Sequence, residues 1–238
     1  MGRWIVALFL LWGSPAMSQV QGLDHIPIVV RDLDRAAADF SALGFALKPG
    51  RPHANGLLNV HAKFRDGTEL ELITATAPTD ELSRRYLDWL KRGEGPALLG
   101  LYVPNGTLPP MEGVFFDKHQ KSATDRPEHF AHPNGASTLA AVWLAGSPAE
   151  RLLIERTGGR LIERPSCAPF GTASRMLQFP EGGSMLMPRL SDRPIVGATV
   201  TVSSLEPVRR LVPHAIDGCT PDSRWVEAHG LWLEFRVR

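Results

Sequence analysis

The residues of this chain that could do chemistry are concentrated between positions 23 and 74. His25 opens an apolar run, and Glu71 lies in a run where acidic and apolar residues alternate. A period of two predicts β-strands whose side chains point to opposite faces. The preceding strand carries polar residues on one face, namely Asn59, His61 and Lys63. Because imidazoles and carboxylates bind divalent metals and carry protons, a curved sheet that gathers this face into a cup would form a reactive site.

Three segments of the chain begin alike, with an apolar strand followed by a helix. Strand and helix are predicted at 26–30 and 35–43, at 139–144 and 149–157, and at 196–202 with a short helix through 211. Asp34 is the expected N-cap of the first helix, and Gly44 is its expected C-terminal stop. Each unit is predicted to continue as three strands, which gives a βαβββ order.

The last strands of these units also correspond to one another. Aligning the Leu-Glu pairs places Glu234 of the third unit on Glu71 of the first. The second unit has Met187 at this position. The acidic position therefore recurs in two of the three units.

The stretch between the first two units, 78–135, follows a different plan. Thr79 to Arg92 is predicted to be an amphipathic helix, because its apolar residues fall on one side. Short strands are predicted at 98–103 and 113–116, and an exposed loop at 118–127. A degraded unit and an insertion are both compatible with this pattern.

The first 18 residues have the layout of a secretory signal peptide. A basic start precedes an unbroken apolar run from Trp4 to Trp12, and small residues stand before Gln19. The run is too short to span a bilayer, which takes about 20 residues. A periplasmic or secreted protein with no membrane span after cleavage is therefore predicted, whereas translation from Met17 would give a cytoplasmic one. In an exported protein Cys167 and Cys219 could form a disulfide, whose geometry the sequence does not test.

Composition disfavours several classes of function. The 238 residues carry a net charge of +1 with scattered basic residues, which gives no footprint for nucleic acid. The chain has no P-loop, dinucleotide fingerprint, Gly-x-Ser-x-Gly elbow or Cys-x-x-Cys pair, so nucleotide cofactors and serine-hydrolase chemistry are disfavoured. The expected partner is a small molecule.

Four motifs of the chain resemble the vicinal oxygen chelate superfamily, in particular its glyoxalase-like branch. They are DHIPIVVRDLDRAAADFSALGF, HANGLLN, GTELELI and HPNGA. The resemblance covers 22–77 closely, as a first glyoxalase-like module, and 132–238 more loosely. Within the latter range, 136–238 form a second and a partial third unit. It implies an α+β fold in which paired βαβββ modules form a cupped mixed β-sheet with helices on its outer face.

The resemblance also implies a divalent metal ion in the cup. His25 matches the first-strand ligand of the family, Glu71 the last-strand ligand, and Glu234 the last-strand ligand of another module. The chain departs from the pattern where a second histidine would fall, since Leu139 and Gly197 stand there. The two-histidine, one-carboxylate site of an iron dioxygenase is therefore not assembled, which disfavours that activity.

A metal-dependent lyase or isomerase acting on a small substrate with vicinal oxygens is the function that the resemblance implies first. Glu71 or His61 would move the proton. Asn59, His132 and Trp232 are the candidate substrate-binding residues, and His132 is included because its HPNG motif resembles the family. The other turn histidines, His53 and His229, are expected to be exposed and uninvolved.

The alternative is a metal-free protein that binds or sequesters a small molecule, as in the bleomycin-resistance members of the superfamily. The cup, lined on one side by Leu139 and Met187, would then hold an apolar ligand and no cofactor.

Overall fold

A computed structural model of the chain describes residues 20–105, 108–109, 111, 113–118, 122–145, 160–167, 169–187, 193–218 and 220–238, with only the backbone at 164–167, 172–173 and 184–187. The predicted signal peptide, the predicted helix at 149–157 and the pairing of Cys167 with Cys219 lie outside these described residues. No helix within the described ranges is long and apolar enough to cross a membrane.

The fold is α+β, as predicted, with short helices set between the strands of three sheets. The elements are β1 (Gly22–Leu23), β2 (His25–Val29), α1 (Leu33–Ala42), β3 (Lys48–Pro49), β4 (Leu57–Lys63), β5 (Glu69–Ala75), α2 (Glu81–Leu90), β6 (Gly95–Pro96), β7 (Leu99–Tyr102), β8 (Val114–Asp117), a 3₁₀ turn (Pro127–Phe130), β9 (Ala136–Ala145), β10 (Arg160–Cys167), β11 (Thr172–Gln178), β12 (Gly183–Met187), β13 (Ile195–Val202), α3 (Glu206–Leu211), β14 (Ile216–Asp217), β15 (Ser223–Ala228) and β16 (Leu231–Val237).

The first unit forms most of a five-stranded sheet with the order β3-β4-β5-β2-β6, in which β2 and β5 are parallel. Its helix α1 begins after Asp32, whose carboxylate accepts a hydrogen bond from the backbone N–H of Arg35 at 2.9 Å. The predicted cap, Asp34, lies inside the first turn, because Asp32 has the extended backbone that a cap requires. Gly44 follows the helix with a φ of +86°, a conformation that would strain other residues.

The region between the first two units adds strands to the first unit. The segment 95–102, made of β6 and β7, runs antiparallel beside β2 and β1. Next to β7 lies β8, which is parallel to it. These positions are those that the first and last strands of a neighbouring βαβββ unit would occupy. The helix α2 precedes them and starts with a capping box between Asp80 and Ser83.

The second and third units share one eight-stranded sheet with the order β10-β11-β12-β9-β13-β16-β15-β14. Within each unit the first and last strands are parallel, β9 with β12 and β13 with β16. The two units meet where β9 and β13 pair in antiparallel fashion. This arrangement is the paired-module sheet that the sequence predicted.

One apolar core connects the two large sheets. It contains Ile28 and Leu72 from the first unit, Val142 and Val200 from the later units, and Phe40 from α1. The third helix, α3, also packs on it. The helices α1 and α3 therefore cover the faces of the sheets that carry this core, and the candidate site lies on the opposite faces.

Candidate functional site

Polar side chains of the first unit share the sheet face that points away from the central core, and we call this face the first cup. Cross-strand pairing fixes their neighbours, because residues directly opposite each other point to the same side. His61 is opposite Glu71, and Lys63 is opposite Glu69. Glu69 is in turn opposite His25 on β2. The predicted alternation is confirmed, since the leucines between these residues lie in the core.

His25 and Glu71 face each other in the first cup. Nε2 of His25 lies 3.6 Å from Oε2 of Glu71, and the other ring nitrogen, Nδ1, lies 2.5 Å from Oδ1 of Asp24. All three side chains are largely buried. A carboxylate on the second ring nitrogen is the usual setting of a metal-binding histidine, because it fixes the tautomer and the ring orientation.

The surrounding carboxylates hold His25 in its charged form when no metal is bound. Burial works against the imidazolium and lowers its pKa. The hydrogen bond to Asp24 and the negative charges of Glu71, Asp24 and Glu69 outweigh burial and raise the pKa of His25 to about 9. The positively charged imidazolium therefore balances the negative charge of these carboxylates.

Asn59 positions Glu71. Its amide nitrogen donates a hydrogen bond to Oε1 of Glu71 at 2.7 Å, and its own oxygen packs against Gly50. The side chain is buried, and its donor is used within the protein. The structure therefore places Asn59, a predicted substrate-binding residue, against Glu71, with its amide donor used within the protein.

His61 lies beside Glu69 at the side of the His25–Glu71 pair. Its Nδ1 is 3.4 Å from Oε1 of Glu69, and Oε2 of Glu69 is 3.8 Å from Nζ of Lys63. Burial opposes ionisation of Glu69, but His61, His25 and Lys63 outweigh it and lower the pKa of this carboxyl. A carboxylate beside one ring nitrogen is the arrangement that orients an imidazole for proton transfer.

A cationic corner of the first cup was not predicted. The Nζ of Lys48 lies 2.6 Å from Oδ1 of Asp125, and the Nζ of Lys63 lies 3.1 Å from Oδ2 of the same residue. Burial opposes ionisation of Asp125, but the two lysines and the backbone N–H of Ser122 hold its pKa well below the usual range. Lys63 belonged to the predicted polar face, but no local signal connects it with a loop residue 62 positions away.

The first cup offers two ligands for a metal ion. Two ligands of one divalent ion, each at about 2.1 Å, are about 3.0 to 4.2 Å apart. The 3.6 Å between His25 and Glu71 lies in this range. The described part of the chain contains no group of three or more His, Cys, Asp or Glu side chains that could hold an ion. On β8, Phe115 lies edge-on against His25, with 4.8 Å between ring centroids. Water or the substrate would have to fill the other coordination positions.

The remainder of the first cup is apolar and covered by α2. Tyr86 and Leu90 of this helix pack against Val29, Leu57 and Ile73 of the sheet. Burial, with the nearby charge of Glu71, raises the pKa of Tyr86. The helix therefore limits the site to the polar end of the cup.

Glu234 lies in the corresponding face of the eight-stranded sheet, which we call the second cup. Its carboxylate accepts a hydrogen bond of 2.6 Å from Oγ1 of Thr199, which accepts one of 2.8 Å from Nε1 of Trp143. The structure does not bring the predicted ligand Glu234 together with His25 and Glu71, because Glu234 lies in another sheet and Thr199 donates to its carboxylate. An indole N–H donates only, so Trp143 adds no ligand.

Strand register corrects the position that corresponds to His25 in the second unit. Met187 is opposite Ala145, as Glu71 is opposite Pro27. Two residues before Ala145 stands Trp143, so Trp143 and not Leu139 takes the place of His25. In the third unit Gly197 takes this place, as predicted, because Glu234 is opposite Thr199.

Aromatic side chains fill the second cup. The rings of Trp143, Trp225 and Phe170 lie 5.2 to 5.7 Å from one another, and Trp232 packs against this cluster while partly buried. Leu139, predicted to line the cup, lies in the central core, because a bulge in β9 turns it to the other face. The side chain of Met187 lies outside the described residues.

His132 is a buried structural residue. Its Nδ1 accepts a hydrogen bond from the backbone N–H of Ala46 at 3.0 Å, and its Nε2 lies 2.9 Å from the carbonyl oxygen of Lys63. Phe45 and Phe64 pack against the ring. Burial lowers the pKa of His132, against the effect of the bond to Lys63. The structure therefore places His132, a predicted substrate-binding residue, in the core, where both ring nitrogens are used within the protein.

His229 is likewise not a free turn residue. Its Nδ1 lies 2.7 Å from Oε2 of Glu94 and its Nε2 lies 3.0 Å from Oδ2 of Asp39. These contacts hold the β15–β16 turn against α1 and the segment before β6. A groove of about 640 Å³ runs along this contact, away from both cups, and is lined by charges of both signs, among them Arg31 and Glu227.

A family model described as a glyoxalase-like domain matches residues 23–101. The matched range contains the first unit, α2, β6 and most of β7. A search of curated proteins found no match to the sequence.

Solved structures share the fold at low sequence identity. A variant of 4-hydroxymandelate synthase from Streptomyces coelicolor is 12% identical, with a TM-score of 0.60 over 92% of this chain and 93% of that chain. A hypothetical protein from Staphylococcus aureus is 10% identical, with a TM-score of 0.59 over 91% and 99%. A variant of homoprotocatechuate 2,3-dioxygenase from B. fuscum is 10% identical, with a TM-score of 0.59 over 93% and 72%. At these identities the likeness concerns the fold.

Proposed function

Because the chain has the vicinal oxygen chelate fold and its first third matches a glyoxalase-like domain, we propose that it is a metal-dependent lyase or isomerase. Its substrate is a small molecule with two vicinal oxygens. The observation that carries this proposal is the His25–Glu71 pair, 3.6 Å apart, with Asp24 on the second ring nitrogen of His25.

Each ligand of this pair is held by a neighbour. A divalent ion bound by His25 and Glu71 would act as a Lewis acid that polarises the vicinal oxygens and stabilises negative charge on them. Asp24 holds the His25 ring, and Asn59 holds Oε1 of Glu71 so that Oε2 faces the histidine. Such supporting contacts keep ligands in place and tune their basicity.

His61 is the residue that we assign to proton transfer. It shares the cup face with Glu71, which stands directly opposite on the neighbouring strand. Glu69, 3.4 Å from Nδ1, stabilises the imidazolium that forms when the ring takes a proton from the substrate carbon. The same ring returns the proton to the neighbouring carbon or oxygen, as an isomerase or a lyase requires.

The second candidate function is metal-free binding of an apolar molecule. The second cup favours it, because the carboxylate of Glu234 is closed off by Thr199 and the walls are Trp143, Trp225 and Phe170. Aromatic walls with few polar groups are typical of sites for small apolar ligands.

Metal content separates the two functions. Elemental analysis of protein purified without chelator, followed by Mn²⁺ titration, is expected to give one ion per chain in the wild type. The ion should be lost in His25→Ala and in Glu71→Ala. Glu234→Gln is the matched control, because it neutralises the corresponding carboxylate of the second cup and should keep the ion. Wild-type protein without metal after metal-replete growth would refute the enzyme function and leave the binding function.

We also propose that the protein is exported with cleavage after Ser18. The apolar run from Trp4 to Trp12 and the small residues before Gln19 support this. Mass spectrometry of the mature protein is expected to find Gln19 as the first residue. An intact start at Met1 or Met17 would contradict export.

A further inference from the structure

Two buried lysines of the first cup converge on one carboxylate that comes from outside the sheet. The side chains of Lys48 and Lys63 are 9% and 8% exposed, and both reach Asp125, at 2.6 and 3.1 Å. Lysine is almost never buried to this extent without a partner, because removing an ammonium group from water is costly. The corner formed by Lys48 and Lys63, the lysine corner, is therefore built to hold an anion.

The anion that it holds belongs to a loop, not to the wall of the cup. Asp125 follows Ser122, whose backbone N–H donates to Oδ2 at 2.9 Å, so the carboxylate is presented by its own short turn. Both lysines stand on strands, β3 and β4. A carboxylate from solution could form the same contacts with Lys48 and Lys63 if the loop carboxylate moved aside.

The lysine corner lies on the same face as the metal-ligand pair. Lys48 is opposite His61, and Lys63 is opposite Glu69, which is opposite His25. Two strand spacings separate Lys63 from His25, which is about 10 Å between backbones. Long side chains shorten this gap, so one small molecule can contact both places.

We propose that Lys48 and Lys63 bind a carboxylate of the substrate, and that Asp125 occupies this subsite when substrate is absent. The substrate class is then a small hydroxy or keto acid, with its carboxylate at the lysine corner and its vicinal oxygens at His25 and Glu71. This assignment of substrate class rests on the proposed function, whereas the anion subsite itself does not.

The test uses chelator-treated full-length protein and acetate as the probe, so it is independent of metal. Carbon-13 spectra of the lysine side chains report acetate binding at Lys48 and Lys63 directly. Asp125→Ala is expected to bind acetate at least about tenfold more tightly than the wild type, because the internal competitor is gone. Adding Lys63→Met should abolish this gain, and neutral acetamide should not bind.

Asp88→Ala is the matched control, because it removes the carboxylate of an exposed ion pair with Lys91. It should bind acetate no more tightly than the wild type. If Asp125→Ala does not fold, Asp125→Asn keeps the shape of the side chain and removes its charge. This variant is also expected to bind acetate more tightly than the wild type, by a smaller factor. Equal acetate affinity in the wild type and in the folded Asp125 variant would overturn the subsite, as would a gain that survives Lys63→Met. Absence of metal binding would instead refute only the proposed function.

Discussion

Asp24→Asn is expected to flatten the pH dependence of metal binding, because Asp24 is a main reason that His25 stays protonated. A metal needs the neutral imidazole, so binding must displace the proton. The pKa of His25 is raised from 6.5 to about 9 in the metal-free protein. At pH 7 the apparent affinity is then about 100-fold below its value at high pH, a cost of about 2.7 kcal/mol. Below pH 9 the affinity should rise about tenfold per pH unit.

The substitution keeps an oxygen for Nδ1 of His25 but removes the negative charge. The pKa of His25 should therefore fall towards its ordinary value, and the affinity should level off near neutral pH. Calorimetric titration with Mn²⁺ in buffers of different ionisation enthalpy measures both the affinity and the number of protons released. At pH 7 the wild type should release about one proton per ion, and Asp24→Asn less than about half of one.

Asp39→Asn is the control for this experiment, since Asp39 is the carboxylate beside a different histidine, His229, on the other side of the fold. It should leave the proton release unchanged. A wild-type affinity that does not change between about pH 6.5 and pH 8.5 would refute the reasoning, because His25 would then be either neutral or not a ligand.

Three further predictions concern stability. In the metal-free protein, the charged His25 stabilises the fold fully below pH 6.5, and about 3 kcal/mol of the free energy of unfolding is lost as the pH rises through 9. Urea unfolding of the wild type and of His25→Gln at both ends of this pH range measures the loss, and equal pH profiles of the two proteins would contradict the prediction. Thr199→Val leaves the buried Glu234 without its donor and should cost about 2 to 3 kcal/mol; Thr201→Val, which removes a hydroxyl contact to Ser137, is the control and should cost less than half as much. His229→Gln removes the two contacts of the imidazole with Glu94 and Asp39, which hold the β15–β16 turn against α1 and the segment before β6, and it should cost about 1 to 2 kcal/mol by the same assay. The exposed His214→Gln is the control, and equal stability of the two variants would contradict the prediction.

The sequence predicted those parts of the site that depend on neighbouring residues in one strand. Alternation placed Glu69 and Glu71 on one face, and β-pairing then brought that face to His25. The lysine corner was beyond such reasoning, because Asp125 reaches it from a loop whose path depends on the whole fold. A local pattern carries no information about such a contact.

Glu234 and His132 show two other limits of the sequence. Glu234 has the same strand position as Glu71, but the similarity of the units does not reveal which sheet each unit joins. His132 stands among turn-forming residues, which indicates exposure, yet its ring packs between Phe45 and Phe64. Packing against distant residues decided both outcomes.

The helix α2 has a consequence for how the site moves. The strand β5 carries Glu69 and Glu71 at one end, while at the other end Ile73 and Ala75 are clamped in the cluster under Tyr86 and Leu90. Glu71 of the His25–Glu71 pair thus lies on a strand whose other end is buried under α2, whereas Asp125 lies on a loop outside the sheet. Amide hydrogens of β5 should exchange only when the unit opens as a whole, so ligand entry need not disturb the backbone that holds Glu71.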